Sequence, residues 1–79
     1  MKLTVFMHDE RVDAITMDKL LNVIAIDDEG NETNSSRFFP FSILHKYLTD
    51  PKYTYLVFTD GEQRQLFVEK SKIAALMVD

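Results

Sequence analysis

The stretch VFTDGEQRQLFV, residues 57–68, constrains the fold more than any other part of the chain. Two runs of aromatic and β-branched residues flank Asp60 and Gly61, and an Asp-Gly pair so placed is the strongest short-range signal of a β-hairpin. A two-residue type I′ turn needs positive φ at both central residues, which Asp and Gly tolerate and which Asn would serve as well. In that register Tyr55 stands opposite Leu66 and Val57 opposite Arg64, with Leu56 and Phe58 on the other face. A second stretch, VFMHDERVDAIT, begins at Val5 and echoes the first. The turn chemistry alone accounts for the Asp-Gly pair, so both stretches are read as hairpin tips rather than as the lip of a catalytic site.

The remaining pattern is rich in strands. Residues 2–7 alternate, and 11–16 form a plausible return strand. Residues 17–21 suit a short helical turn, and 22–27 (NVIAID) are apolar on both faces, as a central strand requires. The segment DDEGNE reads as a charged turn, and part of 32–38 as an edge strand. Ser42 is a good N-cap for a two-turn helix over 42–49. Ile43, Leu44, Tyr47 and Leu48 share one face of that helix, and Asp50-Pro51 stops it. After 53–59 and the hairpin, EKSK turns the chain into a last strand over 73–78. Laid so that Val5-Phe6 falls on Val57-Phe58, residues 1–27 and 53–79 align without a gap, joined by a connection over 28–52 that carries the helix. The expected fold is a single mainly β (α+β) domain over 1–79: a bent antiparallel sheet or small, partly open barrel of about six strands with one short helix.

Composition narrows the chemistry. The chain has 79 residues, no cysteine and a formal charge of −4. Thiolate metal sites and disulfides are therefore excluded, and the acidity argues against sequence-independent nucleic-acid binding, which needs clustered Lys and Arg. No apolar run approaches the roughly 20 residues of a membrane span, and the start lacks the pattern of a signal peptide, so a cytoplasmic location with no membrane partner is expected. His8, Asp9 and Glu10 are adjacent and point to alternate faces, which disfavours one shared ion. The serines lack a glycine elbow, no acid sits inside an apolar run, and two glycines cannot build a phosphate loop. The expectation is a non-enzymatic chain with no cofactor and no metal.

The aromatic residues carry the functional expectation. Phe6 stands alone; Phe38, Phe39, Phe41, Tyr47, Tyr53, Tyr55, Phe58 and Phe67 lie close together in sequence. Core filling accounts for Phe41, Phe58 and Phe67, but a core this small cannot enclose every ring. Phe39, Tyr47 and Tyr53 are the expected exposed members of a protein-contact patch, for another copy or for a different protein.

ITMDKLLNVIAID, residues 15–27, resembles the opening of LytTR-type DNA-binding domains, in which a strand follows a short acidic turn. SILHKYL compares with that family's helix. The resemblance implies a β-rich DNA-binding fold, yet the basic, Arg- and His-containing segment by which that family contacts DNA has no counterpart here. The closing run YLVFTDGEQRQLFVEKSKI is similar to the bent hairpins of small SH3-like or Sm-like barrels.

The reading is a small protein-binding module, a homodimer among its expected forms, whose length, acidity and lack of chemistry suit an accessory or inhibitory protein of a bacterium or mobile element. Three rivals stand beside it. One is a nucleic-acid binder using Lys46, Lys52, Arg64, Lys70 and Lys72 with Tyr53 and Tyr55. Another is an acidic nucleic-acid mimic presenting Asp9, Glu10, Asp13, Asp27, Asp28 and Glu29. The third is a small-molecule site inside a barrel.

Overall fold

The computed structural model of the chain describes residues 2–9, 11, 14–35 and 41–79. Seven strands and one helix follow in the order β1 (Leu3–Met7), β2 (Ile15–Met17), β3 (Leu20–Asp27), β4 (Glu32–Ser35), α1 (Phe41–Thr49), β5 (Tyr53–Asp60), β6 (Gln65–Glu69) and β7 (Ile73–Val78), with a 3₁₀ turn, Lys70–Lys72, between β6 and β7. All pairings are antiparallel and form two sheets: three strands in the order β2-β1-β7 and four in the order β4-β3-β5-β6. The sheets do not close into a barrel. The Cα radius of gyration, 11.7 Å, is what one compact domain of this length requires, about 12 Å.

Alternation decides what is buried. Leu3, Val5 and Met17 of the smaller sheet face Val23, Ala25, Leu56, Phe58 and Val68 of the larger one, and all are buried. Leu44 and Tyr47 of α1 complete the core, with Ile43 and Leu48 half-buried beside them. This is the helical face the spacing predicts. Ser42, expected as the cap, is instead the second helical residue. The helix ends where Thr49 Oγ1 donates back to the His45 carbonyl (2.8 Å), before Asp50-Pro51.

Two corners depart from the sequence reading. No helical turn forms over 17–21. Met17 and Leu20 are both buried, so the chain bends sharply at Asp18 and Lys19 and passes from one sheet to the other. The Gly61 N–H donates to the Lys19 carbonyl (2.8 Å) and fixes that bend. The expected two-residue turn at Asp60-Gly61 is also replaced. Tyr55 pairs with Glu69, Val57 with Phe67 and Thr59 with Gln65, three residues away from the expected register. Gly61 does not adopt positive φ; Gln63 does, at 64°. The longer turn prevails because it sets Leu66 and Val68 on the core side, opposite Phe58 and Leu56.

The two halves share their ladders but not their faces. With Val5 laid on Val57, the pairs Leu3–Met17 and Val5–Ile15 fall on Tyr55–Glu69 and Val57–Phe67. Likewise Thr4–Met77 and Phe6–Ala75 fall on Leu56–Ala25 and Phe58–Val23. Yet Val5 lies in the core and Phe6 is exposed, whereas Phe58 is fully buried and Val57 belongs to the opposite face. The alternation that lines the core in the smaller sheet is turned outward in the larger one.

Candidate functional site

That outward alternation builds the most distinctive surface of the molecule. Cross-strand register places side chains in rows on the face of the larger sheet that points away from the core. One row runs Glu32, Ile26, Tyr55, Glu69; the next runs Asn34, Ile24, Val57, Phe67; the third holds Asn22, Thr59 and Gln65. Ile24, Ile26, Tyr55, Val57 and Phe67 are contiguous and apolar, and none belongs to the core cluster. Phe67 is 60% exposed and leans on Tyr55, with ring centroids 5.1 Å apart at 33°. Val57 is only 8% exposed because its neighbours on this face cover it. The rim is polar: Asn22 Nδ2 donates to Asn34 Oδ1 (3.3 Å), and carboxylates flank the Ile26–Tyr55 row on both sides.

Two of the three residues expected in an exposed aromatic patch are buried. Tyr47 and Tyr53 are not exposed: they are 4% and 6% accessible, and their rings meet edge to face at 5.2 Å inside the core. The helix turns Tyr47 inward, and Tyr53 fills the gap beneath it. Phe39 lies outside the described residues. Phe67, expected in the core, is the most exposed of the large apolar residues among the described residues, because the three-residue register change moves it to the outer face. Phe58 is in the core as expected. The signal that could have found the site was the apolar character of both faces of 22–27, which a sheet with a second covered face would require.

The acidic turns are structural. Asp27 and Asp60 build the same device. In each, Oδ1 accepts the N–H groups two and four residues on: Glu29 and Asn31 at 2.9 and 2.8 Å, Glu62 and Arg64 at 3.0 and 2.9 Å. In each, Oδ2 takes a donor from the fourth side chain, Asn31 Nδ2 at 3.2 Å or Arg64 Nε at 2.8 Å. In each, the residue three positions on has positive φ, Gly30 at 84° and Gln63 at 64°. Burial pushes the Asp60 carboxyl up, but the Arg64 N–H and guanidinium and the Glu62 N–H outweigh it and hold the group below its ordinary value. Asn31 and Glu29 hold Asp27 low against partial burial, and the Arg11 guanidinium does the same for Asp9. Asp60 in turn raises the pKa of Arg64. Each of these four groups is thus engaged in a turn.

Three of the five basic residues a nucleic-acid binder would use are similarly occupied. Lys70 Nζ donates to the Tyr47 and Asp50 carbonyls at the end of α1, Arg64 pairs with Asp60 and Glu62, and Lys72 lies 3.7 Å from Glu69. Glu10 and Asp13, two of the acids an extended mimic would use, lie outside the described residues. The interior is filled by Leu3, Val5, Val23, Leu44, Leu56 and Phe58. Among the described residues, no three His, Asp or Glu side chains are grouped to hold a metal ion, and no helix is long and apolar enough to cross a membrane.

No protein-family model, no curated protein and no solved structure matches the chain. The likeness of 15–27 to LytTR-type domains is accordingly local: it spans β2, the bend and β3.

Proposed function

We propose that the chain is a non-catalytic protein-binding module and that the outer face of the four-stranded sheet is its contact surface. The observation that carries this reading is the exposed Phe67 ring tilted against Tyr55 on the face that also holds Val57 and the two isoleucines. Laid on the other half, Tyr55, Val57, Phe67, Ile24 and Ile26 take the places of Leu3, Val5, Ile15, Leu76 and Val78, which line the core. The face has the composition of an interior surface, and among the described residues no layer covers it.

The occupant is a different protein presenting an apolar surface with basic side chains beside it. Glu32 and Glu69 flank the apolar row and would meet them, and the charge of −4 favours the encounter. Four strands and about five residues per strand give a face of about 15 by 17 Å. A patch this small supports a transient contact, below about 1,200 Å² in total, rather than an obligate one. A cytoplasmic location and an accessory or inhibitory role fit this reading.

The test is affinity capture with the wild type and with Phe67→Ser. A partner held by the wild type, resistant to raised salt and lost with Phe67→Ser at unchanged fold, supports the proposal. Retention by Phe67→Ser overturns it, as does binding to nucleic acid that falls steeply with salt.

A further inference from the structure

A second surface offers a different kind of contact. β7 ends the smaller sheet and pairs only with β1 among the described residues. The other three outer strands are protected. β2 has three residues, β4 (ETNS) is polar with Glu32, and β6 carries Glu69. β7 has six residues, IAALMV, with no charge and no proline, and its only irregularity is a bulge where Phe6 and Met7 pair with Ala75 and Ile73. Met77 is 51% exposed beside it.

The hydrogen bonding tells which backbone groups are unused. Lys2 and Asp79 exchange both bonds, N to O at 3.2 and 2.9 Å. Antiparallel pairs alternate between bonded and non-bonded, so Met77 and Ala75 also bond to β1. Leu76 and Val78 therefore point their N–H and C=O groups away from the sheet.

We propose that β7 pairs with β7 of a second copy of this chain, antiparallel about a twofold axis at Leu76, joining the two three-stranded sheets into one of six strands. Three features select this occupant and register. Leu76 faces Leu76 of the second copy, so both exchange their free backbone bonds. Val78 meets the bulged Ile73–Ala74 position, which satisfies its bonds and keeps every side chain on its own face. Lys72 comes opposite Asp79 of the second copy at each end of the strand pair. Opposite charges thus bracket a neutral apolar centre, and Lys72 gains a second carboxylate beside Glu69. A twofold axis at Met77 would offer fewer backbone bonds and would leave Lys72 unmatched. The contact is separate from the outer face of the larger sheet.

The test is sedimentation equilibrium of the full chain from micromolar to millimolar concentration, with amide exchange. The expected result is a dimer of twice 9.2 kDa in which the Leu76 and Val78 amides are protected at high concentration and lose protection on dilution, while Ala75 and Met77 stay protected. Lys72→Asp should weaken the dimer about 3- to 30-fold, as loss of two exposed ion pairs implies. Adding Asp79→Lys to it should restore the affinity. Val78→Pro removes an outward N–H that β1 does not use, and should give a folded monomer. Phe67→Ser should leave the dimer intact. A monomer at every concentration, a larger ring, a dimer indifferent to the charge swap, or a dimer lost with Phe67→Ser would each overturn the proposal.

Discussion

Asp60 shows how far one residue's environment changes its meaning. Read as a turn residue it was interchangeable with Asn; in the structure it is 1% exposed and accepts two backbone N–H groups and the Arg64 guanidinium. Asn offers one acceptor and would turn an NH₂ toward Arg64, a donor facing a donor. Asp60→Asn should therefore lower the denaturant midpoint measurably. The folded-state pKa of Asp60 lies below its unfolded value, so its contribution is fully present above the ordinary carboxylate range and is lost as pH falls through about 4 toward the folded value. The variant should show a shallower loss of stability in acid than the wild type, with Asp27 and Asp9 contributing to the slope that remains. Backbone strain moves with the turn. Gln63, not Gly61, carries the positive φ, so Gln63→Gly should be neutral to about 1 kcal/mol stabilising, and Gly30→Ala should cost about 1–2 kcal/mol, both read from thermal melts. Gly61 matters for space: a Cβ there would stand 3.3 Å from Lys19 Cβ.

At the scale of elements, strands and helix were legible because their periodicities differ, whereas their ends and registers depended on contacts distant in sequence. The alternation of 3–7 and of 75–78 and the spacing of Ile43, Leu44, Tyr47 and Leu48 survive, and only the bulge at Ile73–Ala74 interrupts the last strand. The bend at Asp18 and Lys19 does not, because it is held by Gly61 from the other half of the chain. The exposure expected of Tyr47 failed against the helix's own pattern: Tyr47 shares the apolar face of Leu44 and Leu48, and that face packs on Tyr53 and the core. Tyr47→Ala should thus behave as a core truncation and cost about 3 kcal/mol or more in a melting experiment. Lys70 is the tether that holds the helix end to the 3₁₀ turn, through the Tyr47 and Asp50 carbonyls. Lys70→Met should cost about 1 kcal/mol, with faster amide exchange concentrated in α1.

At the scale of the whole molecule, the central fact is a sheet with two apolar faces of which the described residues cover one. The sequence displayed this in NVIAID and in the aromatic crowding, but could not tell which rings faced out. A three-residue change of hairpin register exchanges the surroundings of Phe67, and only the packing of Leu66 and Val68 against Phe58 and Leu56 decides it. Phe67→Ser should change folding stability by less than about 1 kcal/mol, as expected of an exposed ring, while Phe58→Ala should cost about 3–5 kcal/mol. The most direct measurement is a methyl NMR titration of the isotope-labelled chain with a partner held in the capture experiment. The account predicts that the methyl signals of Ile24, Ile26 and Val57 shift together as the partner is added, while those of Leu3, Val23 and Leu56 stay in place. Shifts concentrated on Ile43 and Leu48 of α1, with Ile24, Ile26 and Val57 unmoved, would contradict it.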